Sequence, residues 1–408
     1  MKLVLFLYNL IYIILLPVAF IVYSIIVKIK AGEKGYIERF GLIKLNKAPR
    51  RKSIWFHCAS VGEVRSISNI VDNIRKKYSD VDIIVSTMTT TGRKEAKEYI
   101  KADEAFLLPI ENSSAISHII KLLGVKVFFI VDTEIWPNLI YSAGSNSRLI
   151  MINGKISEKS FKTYYRFRLF FAPLFNKFSA ILTKSIQDYE RFTKITKNNK
   201  KIAPLGNIKF NQIKKVEDMK LIDKFKNIKY AFAASTHNNE EEIFIDGFID
   251  GGKDFDKAII APRHIVRCDE IVEMVKNKGL TVSKYSEDID SKVVVIDSFG
   301  LLESLYVSAT KIFIGGSIVN IGGHNIFEAL QFEKQIAVGN NMQDFAEIYE
   351  PAKKYNLVEN VNSSQDIAIW LQKEYDKKDF SNFFEEINNK NKNITETIEE
   401  LINDVLSC

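Results

Sequence analysis

The chain alternates short, continuously apolar runs with longer amphipathic segments. In the first half these runs are SIWFH (53–57), DIIVS (82–86), KVFFIV (126–131), RLIMI (148–152) and SAILT (179–183). Apolar runs without polar alternation are typical of strands in a parallel sheet that is covered on both faces. Between the first two runs, apolar residues from Val64 to Ile74 recur at helical spacing. The first half therefore predicts a series of βαβ units.

The same alternation restarts after residue 228, with the runs YAFAAS, KAIIAP, KVVVID, KIFIGG and QIAVG. Residues 210–229 separate the halves and are charged, with less apolar patterning, so we interpret them as a linker. The sequence thus predicts an α/β protein with two Rossmann-like domains facing a cleft, residues 31–209 and 230–408. The final helices are left free to pack back on the first domain. Ligands of open parallel sheets bind beyond the carboxyl ends of the strands, which directs attention to the strand-to-helix turns.

Residues 1–30 form the most apolar segment of the chain. Residues 3–27 carry no charge and are about long enough to cross roughly 30 Å of hydrocarbon as a helix. A cleaved signal peptide is the main alternative, but its apolar core is shorter and it ends at a small-x-small site that is absent here. We expect an uncleaved N-terminal transmembrane helix. Lys28, Lys30, Lys34 and Arg39 follow it, which favours a cytoplasmic location for the rest of the chain.

Length and charge narrow the classes of function. A chain of 408 residues is too long for one ordinary core and suggests two domains beyond the anchor. Its 57 Lys and Arg residues exceed its 50 acidic residues, which suits an anionic membrane surface or a phosphorylated substrate. Nucleic acid is not an expected partner, because zinc-finger spacing and aromatic RNP-like runs are lacking. Three widely spaced cysteines indicate neither a disulfide framework nor a zinc site.

The first strand-to-helix turn runs from His57 to Glu63. Ser60 and Glu63 have the S-x-x-E spacing of a capping box, in which the serine caps a helix and the glutamate reaches back to a backbone amide. A carboxylate at the mouth of a cleft can instead take a proton from an attacking hydroxyl group. Spacing alone leaves both roles open.

A glycine-rich segment ends the run KIFIGG and continues to residue 332. Gly315, Gly316 and the following Ser317 end a predicted strand, and a helix is expected to begin near His324 or Asn325. Glycines permit close approach to a phosphate, and the amides of a new helix favour an anion. Glu328 follows within a turn, in reach of ribose hydroxyls. The segment matches neither GxGxxG nor GxxxxGK[ST], which weighs against NAD and P-loop chemistry.

Further turns carry polar side chains that are unusual in a core. Ser235, Thr236 and His237 follow one predicted strand, Pro262, Arg263 and His264 follow another, and residues 132–138 follow a third. A lone histidine is more often structural, and Asn238 or Asn239 can simply begin a helix. A metal site built from His237, His264 and His324 lacks any i,i+4 pair, so we expect no metal.

In order along the chain, these motifs resemble those of the 3-deoxy-D-manno-octulosonic acid (Kdo) transferases. The resemblance covers nearly the whole chain, including the apolar N-terminus and ERFG (38–41). Single motifs are modest support, whereas the ordered series is specific. The motifs are SVGEV (60–64), TMTTTGRK (87–94), DTEIWPN (132–138), NGKISEKS (153–160), GNIKF (206–210), STH (235–237), PRH (262–264), DSFGLLESLY (297–306) and GGSIVNIGGHNIFE (315–328).

The resemblance implies a glycosyltransferase of GT-B architecture, anchored at the cytoplasmic face of the bacterial inner membrane. Such an enzyme moves Kdo from CMP-Kdo, its substrate, to a hydroxyl group of the lipid A precursor in lipopolysaccharide biosynthesis. The transfer inverts the anomeric carbon and requires no metal or other cofactor.

The resemblance also implies roles for individual residues. Glu63 is expected to be the general base, with Ser60 and Gly62 on the acceptor side. The amides at 315–317 and the helix near residue 324 are expected to face the CMP phosphate. Residues expected to bind donor or nucleotide are Ser235, Thr236, His237, Pro262, Arg263, His264, Gly315, Gly316, Ser317, Asn325 and Glu328.

The chain departs from the family pattern at several positions. Asp132 stands where glutamate is usual, Glu111 where aspartate is usual, and Ala329 where proline commonly follows the glutamate; residues 338–345 also differ. Two other functions stay open. One is a membrane-anchored GT-B enzyme that uses a UDP-sugar, and the other is a catalytically silent nucleotide-binding scaffold.

Overall fold

The computed structural model describes residues 8–10, 36–44, 52–109, 111–198, 200–208, 219–374 and 379–406. The chain divides into two compact units. The first comprises Met1–Gln212 together with Asn389–Cys408, and the second comprises Ile213–Asn388.

The first unit is built on a parallel seven-stranded sheet with the order β3-β2-β1-β4-β5-β6-β7. Its strands are β1 (Ser53–Cys58), β2 (Asp82–Thr87), β3 (Glu104–Leu107), β4 (Val125–Val131), β5 (Arg148–Gly154), β6 (Ala180–Thr183) and β7 (Ile202–Pro204). Its helices are α1 (Val61–Ser66), α2 (Ser68–Lys77), α3 (Thr90–Glu98), α4 (Ser113–Leu122), α5 (Pro137–Asn146), α6 (Glu158–Arg166), α7 (Arg168–Phe175) and α8 (Ile186–Thr196), with a 3-10 turn at Tyr36–Phe40.

Both faces of this sheet are covered, as the apolar runs predict. Ile54 and Phe56 of β1 belong to the apolar core on one face, and Trp55 belongs to the core on the other. Successive side chains of a strand point to opposite faces, so a strand buried on both sides must be apolar throughout.

The second unit repeats the design, with a parallel sheet of order β10-β11-β9-β8-β12-β13-β14. Its strands are β8 (Tyr230–Thr236), β9 (Lys257–Pro262), β10 (Val282–Lys284), β11 (Val293–Val295), β12 (Lys311–Ile314), β13 (Ile336–Val338) and β14 (Val358–Asn360). Its helices are α9 (Met219–Phe225), α10 (Glu240–Gly251), α11 (Cys268–Asn277), α12 (Leu302–Ser308), α13 (Phe327–Leu330), α14 (Ala346–Lys354) and α15 (Ser364–Gln372), with 3-10 turns at Ile265–Arg267 and Gln343–Phe345.

The long C-terminal helix, α16 (Ser381–Leu406), ends in the first unit. Ile394, Ile398 and Ile402, spaced four residues apart, pack in the same core cluster as Ile54. The Nζ atom of Lys52 donates to the carbonyl of Leu406 at 2.7 Å. The end of the chain is thus part of the first unit's core.

The two predicted parallel-sheet α/β domains are confirmed. The predicted transmembrane helix, residues 1–30, lies outside the described residues except for residues 8–10. None of the helices in the described ranges has both the length and the apolar character needed to span a bilayer. Most of the predicted linker lies outside them too, although residues 219–225 form α9.

Candidate active site

Glu63 lies in the turn that joins β1 to α1. The Oγ atom of Ser60, the N-cap residue, accepts from the Glu63 N–H at 3.4 Å. The Glu63 carboxylate accepts from the Ala59 N–H at 2.6 Å and from the Ser60 hydroxyl at 3.0 Å. The predicted cap by Ser60 is therefore present, but the Glu63 carboxylate reaches the N–H of Ala59 and not that of Ser60, so the capping box is incomplete. These contacts fix the carboxylate at the carboxyl end of β1. Glu63 is 9% exposed.

The residues around Glu63 leave open space. Ser60 and Gly62 are exposed. A Cβ atom added at Gly62 would meet nothing closer than Ser60 Oγ, at 4.0 Å. Packing within the fold therefore does not require glycine at this position, and a bound acceptor could approach the carboxylate here.

His57, in the same segment, is a core residue. It is fully buried in β1, and its Nδ1 lies 2.9 Å from the hydroxyl of Ser86. Burial lowers the pKa of His57 to about 4. The imidazole is thus neutral near pH 7.

A second polar group lies at the carboxyl ends of β3, β4 and β5. The Glu111 carboxylate accepts from the Asn138 N–H at 2.9 Å, and burial raises the pKa of Glu111. Asn153 donates its side-chain amide to Asp132. Glu111, Asp132 and Asn153 all have positive φ, between 44° and 59°. Non-glycine residues in this strained region often cluster at functional sites. From the sequence, Asp132 is placed in a polar turn and Glu111 is noted as a departure from the family pattern, but no role is assigned to Asn153.

The described piece of the N-terminal segment reaches this polar group. The Asn138 side-chain amide donates to the Oδ1 atom of Asn9 at 2.6 Å. The Tyr8 hydroxyl donates to Glu111, which partly offsets the rise in the pKa of that carboxyl. Residues 8 and 9 therefore pack on the carboxyl edge of the first sheet.

In the second unit, the glycine-rich turn after β12 is organised by a carboxylate of its own chain. Glu240, the fully buried first residue of α10, accepts from the N–H groups of Gly316 at 2.7 Å, Ser317 at 3.0 Å and Ile318 at 2.9 Å. It also accepts from the His237 N–H at 2.9 Å. Successive backbone amides of this kind form an anion-binding concavity, and here an internal anion fills it.

This arrangement corrects the predicted role of the amides at 315–317. The Gly315 N–H donates to the Ala234 carbonyl at 2.8 Å, so all three amides are used within the fold. A Cβ at Gly315 would lie 2.7 Å from Glu240 Oε2, so glycine is needed to seat the carboxylate. Ser317 is fully buried and donates its hydroxyl to the Ile314 carbonyl. The helix expected near residue 324 begins only at Phe327 and has four residues.

Three histidines from separate turns come together beside this loop. The Nε2 atoms of His237 and His324 lie 2.9 Å apart, and the His264 ring lies 5.8 Å from that of His237. A hydrogen bond between two ring nitrogens needs one protonated and one bare nitrogen. Burial, followed by the positive charges of nearby side chains, lowers the pKa of His324 to about 4. Burial also lowers the pKa of His237.

Arg263 adds the positive charge of this group. Its side chain is exposed, and its charge is one cause of the lowered pKa values of His237 and His324. Among the described residues, Arg263 is in none of the ion pairs with a carboxylate. Arg263 and the histidines can therefore supply donors to an anion that binds here.

The remaining residues predicted to bind the sugar donor are either partly exposed or buried. Asn325 donates its side-chain amide to the Glu328 carboxylate at 3.2 Å, and both residues are partly exposed. Ser235 is also partly exposed and has a φ of 55°. Thr236, Pro262, Gly315, Gly316 and Ser317 are buried, so they shape the turns. Within the described ranges, no cluster of three or more His, Cys, Asp or Glu side chains is arranged to hold a metal ion.

The chain is similar to one protein-family model and to several curated proteins. A family model described as 3-deoxy-D-manno-octulosonic-acid transferase (kdotransferase) matches residues 34–212. The chain is 32% identical to a bifunctional glycosyltransferase/methyltransferase of Fusobacterium nucleatum, over 82% of this chain and 55% of the relative, so it spans about half of that protein. It is 28% identical to a 3-deoxy-D-manno-octulosonic acid transferase of Rickettsia bellii, with 90% of each protein covered.

Solved structures share the fold. A glycosyltransferase of Rickettsia africae superposes with a TM-score of 0.61 at 14% identity, covering 87% of this chain and 99% of that chain. This likeness shows two parallel-sheet α/β domains, consistent with the predicted GT-B architecture. The family model and the curated relatives confirm the resemblance to the Kdo transferases that the ordered motifs predict.

Proposed function

We propose that this chain transfers Kdo from CMP-Kdo to a hydroxyl group of the lipid A precursor, lipid IVA, with inversion at the anomeric carbon. The observation that carries the proposal is the Glu63 carboxylate, which is held at the carboxyl end of β1 beside the open position at Gly62. The Kdo transferase relatives support the choice of donor and sugar.

In the proposed reaction, the acceptor oxygen forms a bond to the anomeric carbon while the bond from that carbon to the CMP phosphate oxygen breaks. The electron pair of the broken bond leaves with CMP, and Glu63 accepts the proton of the acceptor hydroxyl group. A positioned carboxylate lowers the barrier because an alcohol is a poor nucleophile at neutral pH.

The donor binds the second unit. Arg263, His237 and His264 donate to the CMP phosphate and to the Kdo carboxylate, and Glu328 accepts from the ribose hydroxyls. The buried Glu240 holds the backbone of His237 and the glycine-rich turn after β12 in place. The phosphate meets side-chain donors in this scheme, because the loop amides are already used.

The acceptor keeps its acyl chains in a bilayer, so the reaction takes place at a membrane surface. We propose that the apolar residues 1–30 anchor the chain in the bacterial inner membrane, with both units in the cytoplasm. The basic residues after the anchor would attract the phosphates of the precursor.

The test is incubation of the full chain with CMP-Kdo and tetraacylated lipid A precursor, followed by mass spectrometry of the lipid. Kdo-bearing product is the expected result, and we expect Glu63→Ala to bind CMP-Kdo while forming product about 10²–10⁴-fold more slowly. If product forms only from UDP-sugars, the chain is instead a glycosyltransferase that uses a UDP-sugar donor. CMP-Kdo binding with no turnover on any lipid acceptor would indicate a silent scaffold.

A matched control distinguishes the loss of a general base from the loss of a helix-capping carboxylate. Asp366 occupies the same capping-box position in α15 of the second unit, where its carboxylate accepts from the Ser363 N–H at 3.1 Å. Asp366→Ala removes a similar cap, and we expect transfer to be unchanged. Equal rates for Glu63→Ala and Asp366→Ala would refute the role of Glu63 as base.

A further inference from the structure

The turn that joins α6 to α7 is unusually apolar for an exposed segment. Tyr165, Phe167 and Leu169 are 45%, 55% and 91% exposed. We call residues 165–169 the aromatic-basic turn. Single exposed apolar residues are ordinary, but three alternating with arginines in one turn form a surface that points to a partner.

The turn is held rigidly by the packing beneath it. The Tyr164 ring contacts Phe171 and Phe175 of α7, with centroids 4.5 and 5.9 Å apart. Leu174 and Phe175 are buried in the core. The hairpin therefore buries its own apolar face, and the exposed residues at its tip are not needed to close that core.

Positive charge accompanies the exposed rings. Residues 155–177 contain six Lys and Arg residues and one acid, Glu158, which pairs with Lys162 at 2.8 Å. The guanidinium groups of Arg166 and Arg168 lie 5.8 and 5.0 Å from the ring centroids of Phe167 and Tyr165. In the part of the chain that the structure describes, neither arginine forms an ion pair. Such a surface complements an anionic lipid interface, with apolar tips for the acyl region and cations for the phosphates.

The turn also belongs to the functional edge of the first sheet. α6 follows β5, and parallel strands place their carboxyl ends along one edge, so α6 begins at the edge that carries Glu63. Burial raises the pKa of the Tyr164 hydroxyl, and the carboxylate of Glu134, which follows β4, raises it further.

We infer that the aromatic-basic turn is a membrane contact, in which Phe167 and Leu169 enter the lipid interface and Arg166 and Arg168 bind headgroup phosphates. This contact is additional to the predicted N-terminal anchor, and it would set the height of the first sheet's carboxyl edge above the bilayer. Its use in presenting a lipid acceptor to Glu63 rests on the proposed function, whereas the lipid contact itself does not.

The test places a fluorescent reporter in the turn of the full chain. Leu169→Trp is compared with Ile369→Trp, another apolar and exposed position (66%) on α15 of the second unit. Both proteins are reconstituted into vesicles of phosphatidylglycerol and phosphatidylcholine that contain brominated lipid. Relative to the parent chain, we expect a blue shift and quenching for the tryptophan at position 169 and neither for that at position 369. Equal behaviour of the two reporters would overturn the inference.

Charge reversal tests the second half of the inference. In the Leu169→Trp background, Arg166→Glu with Arg168→Glu should remove most of the quenching, since each cation near an anionic surface is worth about fivefold in binding. Quenching that survives the reversal would overturn the headgroup contact. Shielding of the tryptophan by self-association in detergent would assign the turn to a protein contact instead. None of these readouts needs CMP-Kdo, so they fail or succeed independently of the proposed reaction.

Discussion

Two glutamates, one in each unit, follow a parallel strand and accept backbone amides, yet their surroundings differ. Glu240 is fully buried and accepts four backbone N–H groups within 3.0 Å. Glu63 is 9% exposed, accepts one backbone N–H and one hydroxyl, and lies beside an open glycine position. A fully buried carboxylate that accepts four backbone N–H groups is a structural anion. A carboxylate that is held at an accessible edge is oriented by its contacts and can still take a proton.

The largest effect should follow loss of the structural anion. Glu240→Ala leaves several buried amides without a partner, and each such group costs about 1–3 kcal/mol unless water reaches it. We expect the free energy of unfolding to fall by roughly 3–5 kcal/mol, as for other broken buried charge networks. Urea denaturation followed by circular dichroism measures this change.

The neighbouring Glu242 supplies the control for that experiment. Its side chain is 59% exposed and pairs with Lys278 at 3.2 Å. Exposed pairs of this kind contribute about 0–1 kcal/mol, so Glu242→Ala should unfold nearly as the parent does. Similar losses in the two variants would mean that the buried amides find other partners, and the contrast between Glu240 and Glu63 would disappear.

The sequence predicts those parts of the fold and of the site whose pattern lies within a few neighbouring residues. The interior strands are predicted because burial on both faces requires continuous apolar runs. The four strands that were missed, β3, β7, β10 and β14, are the edges of the two sheets and have only three or four residues. An edge strand pairs on one side only, so it needs no such run.

The same reasoning explains the site. The Glu63 turn was found because Ser60, Gly62 and Glu63 are neighbours in sequence. Glu240 was missed because it begins a run of three glutamates, which in sequence resembles a solvated helix start. Only the tertiary structure separates the buried Glu240 from the exposed Glu242, since three of the four backbone partners of Glu240 lie 76 to 78 residues away.

Lowering the pH should reduce the free energy of unfolding through His324, by less than the substitution Glu240→Ala does. Burial lowers the pKa of His324 from 6.5 to about 4, so in acid the unfolded chain binds a proton that the folded chain does not. The resulting stability is complete above pH 6.5 and is lost as the pH falls towards 4. One pKa unit corresponds to 1.36 kcal/mol, and because His324 is partly exposed we expect about 1–2 kcal/mol in total.

Urea midpoints at several pH values measure this loss, and His324→Gln isolates it. Glutamine at position 324 does not titrate, so the free energy of unfolding of this variant should fall less between pH 6.5 and 4 than that of the parent. A remaining slope is expected from His57 in the first unit, whose pKa is lowered to about 4 by burial. An unchanged slope in His324→Gln would show that His324 is protonated equally well in the folded and unfolded chains.

The smallest effect on stability should come from the cap that orients Glu63. Ser60→Ala removes the N-cap acceptor of α1 and the hydroxyl that binds Glu63 Oε1, whereas Ser363→Ala removes the matched cap of α15. Loss of an N-cap side chain costs about 0.5–2 kcal/mol, so the two variants should lose similar stability in urea. Their rates of lipid glycosylation should differ, because only Ser60→Ala frees the carboxylate that we propose to be the general base. Equal rates in the two variants would mean that the Ala59 amide alone orients Glu63.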